Sequence, residues 1–362
     1  MLRIGIVGCG KIADSHVEEI QKLPGCEVVG ICDTEIMMAK QLSDRYGIKR
    51  YFQECQELLA TCTPDVIHIT TPPQSHFELA KLSLERGSHV YVEKPFALNL
   101  AEAETLIETA HRLGLFITVG HNYQFDPAAL VMRKLVNEGV LGGDPIHLES
   151  IYCYNLHDEF AKALIGNRSH WVMRLPGKLL QNVISHGICK IVEFMKDNSV
   201  EIIARGYTSP GLPKELGDSH IVDELRTSIH SNNTSAYFTF STQIKPGLHQ
   251  LRLYGTLSSL VVDYNQQTII VHENKQYKSY LNRLIPPFAL AGKYLSDAVA
   301  NLIKFLKADF HFNAGMRVLI ESFYRCILRG GPPPIPYREI LLTTKIMDEI
   351  FRQLDSEAMR ST

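Results

Sequence analysis

Two rhythms of apolar residues divide the chain. Up to about residue 122, short β-branched runs (Leu2–Val7, Glu27–Cys32, Asp65–Thr70, His89–Val92, Leu115–Val119) alternate with stretches of helical period (Lys11–Leu23, Ile36–Tyr46, Ser75–Arg86, Leu100–Leu113). The short runs are continuously apolar rather than alternating. That predicts strands buried on both faces, hence a parallel sheet covered by helices, the doubly wound α/β arrangement. After Asp126-Pro127 the pattern changes. A helix over about 128–138 precedes predicted strands at Ile146–Tyr154, Val200–Tyr207, Ile221–His230, Ser235–Thr242, Gly247–Tyr254 and Thr268–His272. Several alternate, as in Ser235-Ala-Tyr-Phe-Thr-Phe-Ser-Thr242, which predicts a large, mostly antiparallel sheet with one covered face. A helix near Lys178–Met195 interrupts these strands, and helices over Phe288–Lys307, Ala314–Leu328 and Tyr337–Leu354 follow. The expected domains are 1–122 and 123–362.

Composition narrows the function classes. A formal net charge of −2, with no clustered Lys/Arg stripe, argues against a nucleic-acid partner. No apolar run is long enough to span a bilayer, and the start of the chain lacks the features of a secretory leader. The eight cysteines form no Cys-x-x-Cys pair, so they read as reduced thiols rather than disulfides or a zinc site. A cytoplasmic protein without a metal is the expectation.

The first chemical motif is Gly8-Cys-Gly10-Lys11-Ile12-Ala13, directly after the first strand and opening a helix. Gly8 permits the tight turn, Gly10 lets the backbone approach a pyrophosphate, and small Ala13 allows helix and strand to pack closely. The helix N-terminus offers amides to phosphate. Asp33, twenty residues past Ala13 at the end of the second strand, is placed to accept from an adenosine ribose. Its carboxylate repels a 2′-phosphate, so NAD is expected over NADP. A tight turn with Asp33 as a helix cap is the plainer alternative.

Glu93-Lys94-Pro95 follows the strand His89–Val92, and Thr71-Pro72-Pro-Gln-Ser-His76 follows Asp65–Thr70. With the glycine loop, these motifs resemble the Gfo/Idh/MocA family of oxidoreductases (glucose-fructose oxidoreductase, inositol dehydrogenase and their relatives). The resemblance implies a Rossmann domain, then an α/β domain used for substrate binding and oligomerisation, commonly as dimer or tetramer. It also implies NAD(P)-linked hydride transfer at a secondary alcohol or ketone of a sugar, cyclitol or nucleotide sugar. It puts Thr71, Pro72, His76, Glu93 and Asn122 in the cofactor site and Lys94 beside both nicotinamide and substrate. The segment Trp171…Gly177-Lys178…Asn182-Val-Ile-Ser-His186 matches the family's Trp…Gly-Gly…Asp-x-x-x-His stretch. Asn182 and His186 are expected one turn apart on a single helix, Asn182 to contact substrate and His186 to act as acid/base. Three departures stand out: Asn182 for the family's Asp, Lys178 for a glycine, and Gln124 where many relatives carry Arg. Two alternatives stay open at this point. One is a redox-neutral enzyme with transient oxidation (epimerisation, elimination or glycoside cleavage), and the other is a non-catalytic dinucleotide-binding regulator.

The stretch Phe288–Lys307 carries a broad apolar face bordered by Lys293, Lys304 and Lys307. Burial against its own domain or a neighbouring protomer is the plainer expectation; contact with a membrane surface is the alternative.

Overall fold

The computed structural model describes residues 1–156, 169–210, 212, 221–307, 310–311 and 313–360, with side chains to 356. Its contacts group into two compact units. Met1–Asn122, Trp171–Ser185 and Met316–Asp348 form the first; Tyr123–His170, His186–Gly315 and Glu349–Thr362 form the second.

The first unit holds strands β1 (Leu2–Val7), β2 (Cys26–Cys32), β3 (Tyr51–Phe52), β4 (Val66–Ile69), β5 (His89–Val92) and β6 (Ile117–Val119). They form a wholly parallel sheet in the order β3-β2-β1-β4-β5-β6. Every residue of β4 and β6 is buried, the condition that produced their continuous apolar runs. Connecting helices Lys11–Gln21, Ile36–Tyr46, His76–Glu85 and Leu100–Leu113 fall where helical period predicts them. The sequence pattern does not reveal β3 or the helix Cys55–Cys62, because a two-residue strand carries no periodicity.

The second unit holds β7 (His147–Cys153), β8 (Glu201–Tyr207), β9 (Glu224–His230), β10 (Ser235–Ser241), β11 (His249–Tyr254), β12 (Ser258–Asp263) and β13 (Thr268–Glu273). Their order is β13-β12-β11-β7-β10-β9-β8, and only β7 and β10 run parallel. The strand β12 is an addition to the sequence reading. Alternation holds across the sheet: Leu148, Ala236, Phe238, Phe240, Leu251 and Leu253 are buried, while Tyr237 of β10 and Ile203 and Tyr207 of the edge strand β8, on the opposite face, are about half exposed.

Two expectations need correction. The helix predicted over Lys178–Met195 is two helices, Lys178–Val183 and Ser185–Val192, joined at Ile184. Asn182 and His186 therefore do not share one helix, and the division between the units falls between Ser185 and His186. Second, the helix expected over Phe288–Lys307 runs from Leu281 to Leu306, and none of its residues is buried. Burial against its own domain is not what its apolar face meets.

Candidate functional site

In the first unit, the residues singled out by sequence gather where strands end. Gly8 follows β1 with φ +98°, and a Cβ there would lie 2.7 Å from the Thr71 amide nitrogen, so glycine alone fits. At Gly10 the reverse holds: a Cβ would meet no atom within 4 Å. Internal packing thus does not require glycine at Gly10, and the open space is where a phosphate group fits. Gly10 begins the helix Lys11–Gln21, whose first turn has no side-chain cap, and Ala13 is fully buried against the sheet. Uncapped amides beside open space suit a pyrophosphate. Asp33 follows β2; its Oδ2 accepts from the Cys9 amide at 2.7 Å and its Oδ1 from the Glu35 amide at 2.8 Å. The carboxylate is thereby fixed beside the glycine loop, with lone pairs remaining for ribose hydroxyls.

Beyond β4, Thr71 and Pro72 open a short 3-10 turn. His76 is fully buried with one ring nitrogen 2.8 Å from the Pro95 carbonyl and the other 2.9 Å from the Thr71 carbonyl. Burial lowers its pKa against the pull of both carbonyls. His76 thus ties the loop after β4 to the loop after β5. Asn122 follows β6, and its Oδ1 accepts from the Tyr91 hydroxyl at 2.9 Å.

Glu93 closes β5 and is buried. Its Oε1 lies 3.0 Å from His16 Nε2, His16 Nδ1 lies 2.8 Å from His68 Nδ1, and His68 Nε2 lies 2.8 Å from the Tyr324 hydroxyl. One assignment of hydrogens satisfies the whole chain: Tyr324 donates to His68, His68 through Nδ1–H to His16, and His16 through Nε2–H to Glu93. It needs Glu93 ionised, as the acceptor at the end of the line. Burial would raise the Glu93 pKa, but the His16 hydrogen bond and the Lys94 charge outweigh it and hold the carboxyl below its ordinary value. Burial keeps His68 well below the usual histidine range. Tyr91 stacks on His68 with centroids 4.7 Å apart. None of His16, His68, Tyr91 and Tyr324 is read as functional from sequence. A signal exists at His68, a polar residue amid the apolar run of β4, which must find a buried partner.

Lys94 projects from this buried layer. Its Nζ donates to the Asn182 carbonyl oxygen at 2.9 Å and to Asn182 Oδ1 at 3.3 Å. Burial lowers its pKa below the usual lysine value, and the Glu93 charge opposes that. Lys94 and Asn182 are thus brought together although 88 positions separate them.

In the second unit, His186 sits in an aromatic setting, with ring centroids 4.8 Å from Tyr123 and 5.5 Å from Tyr152. His249 packs on the same two tyrosines and stacks on Tyr264. Lys190 is fully buried with Nζ 4.3 Å from the Tyr264 ring centroid; burial pushes its pKa down to about 7. Burial pushes Asp126 up to about 7.

Residues 2–121 match the Gfo/Idh/MocA family, described as an oxidoreductase family with an NAD-binding Rossmann fold. The family match thus covers the first third of the chain, where the glycine loop and the Glu93-Lys94-Pro95 motif lie. A D-glucoside 3-dehydrogenase of Escherichia coli is 32% identical over 142 residues, 39% of this chain and 40% of that protein. The match thus spans well under two thirds of that relative. Among solved structures, an NAD-binding oxidoreductase of Klebsiella pneumoniae superposes with a TM-score of 0.78 at 18% identity, over 98% of this chain and 97% of that one. The WlbA dehydrogenase of Bordetella pertussis, solved with NADH and UDP-GlcNAcA, gives a TM-score of 0.74 at 17% identity, over 98% and 97%. These likenesses show a shared fold.

The departures from the Gfo/Idh/MocA pattern have distinct settings. Asn182, in place of the family's Asp, holds Lys94. Lys178, in place of a glycine, keeps the left-handed backbone that glycine favours, with φ +46°. Gln124 is buried, and its Nε2 donates to the Cys189 carbonyl at 3.3 Å and to Glu193 at 3.5 Å, so it braces the helix Ser185–Val192.

Proposed function

We propose that this chain is an NAD-dependent oxidoreductase acting on a secondary hydroxyl, or the matching ketone, of a sugar, cyclitol or nucleotide-linked sugar. The observation that carries this reading is the Lys94 ammonium at the carboxyl edge of the parallel sheet, held by Asn182 and backed by the buried Glu93 carboxylate. Ligands of open α/β sheets bind along that edge. A glucoside dehydrogenase among the relatives, and a neighbour in fold solved with a UDP-linked sugar acid, support the substrate class.

Bound NAD supplies the hydride acceptor or donor. Gly8, Gly10, Lys11, Ile12 and Ala13 are proposed to hold its pyrophosphate and Asp33 its adenosine ribose. Thr71, Pro72, Glu93 and Asn122 are proposed to flank the remainder, with His76 fixing the Thr71-Pro72 loop. Asp33 disfavours a 2′-phosphate, which favours NAD over NADP. Lys94 Nζ donates to the reacting oxygen and stabilises negative charge developing there. Asn182 orients Lys94, since an amide neither takes nor gives the proton at this pH. His186 is proposed to take the hydroxyl proton at a ring nitrogen, a role resting on its sequence position in the family motif.

Lys94→Ala should leave NADH affinity, read by fluorescence titration, within a few-fold of wild type. Turnover of a panel of glucosides, inositols and UDP-sugars, read as NADH formation, should fall by roughly a hundredfold or more. Tighter binding of NADPH than NADH would overturn the role of Asp33. A wild-type protein that binds NADH but turns over nothing in the panel would favour the non-catalytic binder.

A further inference from the structure

The helix Leu281–Leu306 is amphipathic in an inverted sense. Its partly covered positions are Leu281, Ile285, Pro286, Leu290, Lys293, Asp297, Asn301 and Lys304, a single stripe at helical spacing. That stripe is fastened to the sheet by polar contacts. Lys293 Nζ donates to the Val271 carbonyl at 2.7 Å, Asp297 accepts from the Ile269 amide at 2.8 Å, and Asn301 donates to the Gln266 carbonyl at 2.8 Å. The helix therefore turns Lys293, Asp297 and Asn301 to the protein and its apolar residues outward. Phe288 is 73% exposed, Leu295 66%, Phe305 67% and Leu306 73%. From Leu284 to Leu306 no exposed position carries a charge. Large contiguous apolar surfaces on soluble proteins mark sites of contact.

We propose that this helix seats the protein on the surface of an anionic lipid bilayer, lying in the headgroup plane with its outward face in the acyl boundary. At 26 residues it is about 39 Å long, and no helix among the described residues is long and apolar enough to cross a membrane. It lies on the surface rather than spanning it. Charge selects the occupant. Between Lys278 and Lys307 the chain carries Lys278, Arg283, Lys293, Lys304 and Lys307 against the single acid Asp297, which is held by the Ile269 amide. Cations thus stand at both ends of the apolar face, where they meet lipid phosphates. A second copy of this helix fits less well. Paired parallel or antiparallel, two copies bring basic ends against basic ends, and a partner helix covers one stripe of a face that is exposed on every side but one.

The inference does not depend on the enzymatic reading. Full-length protein is floated with vesicles of phosphatidylcholine alone or of equal parts phosphatidylcholine and phosphatidylglycerol. The expected result is flotation with the anionic vesicles, weaker with the neutral ones and reduced by salt. A Leu295→Glu, Leu302→Glu double variant should lose vesicle affinity by about tenfold or more. Its melting temperature and NADH affinity should stay at wild-type values, since both side chains are exposed. Absence of wild-type protein from the floated fraction overturns the proposal, as does a double variant that floats like wild type. So does a wild-type oligomer in light scattering that the double variant dissociates, which would make the face an interface between copies.

Discussion

Lys178 shows how one residue records a constraint. Its φ of +46° is a backbone region that an L side chain enters at a cost and glycine enters freely. Lys178→Gly relieves that strain but loosens the unfolded chain, so a net gain of about 0.5–1 kcal/mol is expected, read as a higher urea midpoint. No gain would mean that contacts of the lysine side chain offset the strain. Asn182 carries a second prediction. Its Oδ1 receives Lys94 Nζ as a neutral acceptor. Asn182→Asp places a negative charge there and should raise the Lys94 pKa by about one unit or more. The alkaline limb of the kcat/KM profile should move to higher pH by that amount. An unmoved limb would mean that Lys94 does not govern it. The glycine loop, Lys94 and Asn182 are all legible in sequence, because each belongs to a local motif. The partners of Glu93 are not: His16, His68 and Tyr324 are far apart in the chain and become one hydrogen-bonded line only when strand, helix and the later helix Ala314–Arg329 meet.

The helix Ser185–Val192 lies close against its sheet. A Cβ on Gly187 would lie 2.1 Å from the Phe238 ring, and Ser150 donates to the Gly187 carbonyl. That approach buries Lys190, whose Nζ has no hydrogen-bond partner among the described residues. Cys189, Asp126 and Asp263 favour its charged form, but burial dominates and brings its pKa down to about 7. The sign of the pH effect follows. Below pH 7 the lysine is charged in both states, and the folded state carries the full cost of the buried charge. Between about 7 and 10.5 the folded group is increasingly neutral while the unfolded one stays charged, so the cost fades as pH rises. Lys190→Met should therefore be stabilising by on the order of a few kcal/mol at pH 6 to 7, with the gap in melting temperature closing towards pH 10. A gap that stays constant across that range would contradict the buried charge. Helical period disguised the break at Ile184: no proline stands near it, and Gly187 falls inside the second helix rather than at the break.

At the scale of the whole molecule, the face of the second sheet that carries Ile203 and Tyr237 leaves them about half exposed, with Arg205 and Arg226 beside them. This pattern predicts a homodimer or homotetramer assembled through that sheet. Light scattering at micromolar concentration should give a multiple of the 40.8 kDa chain, and Ile203→Glu with Tyr237→Glu should reduce it to the monomer mass. A monomeric wild type would refute the prediction. By itself, the sequence determined the parallel-then-antiparallel architecture and the position of the glycine loop. Burial on two faces or one writes its period directly into the chain, and a turn that needs glycine names its own residues. Tertiary structure alone decided which polar residues are paired beneath the site and that the helix Leu281–Leu306 turns its apolar face away from the protein. Periodicity tells that a helix has two faces, but which one meets the sheet depends on the backbone groups of β13 and the turn before it, whose donors and acceptors are met by Lys293, Asp297 and Asn301.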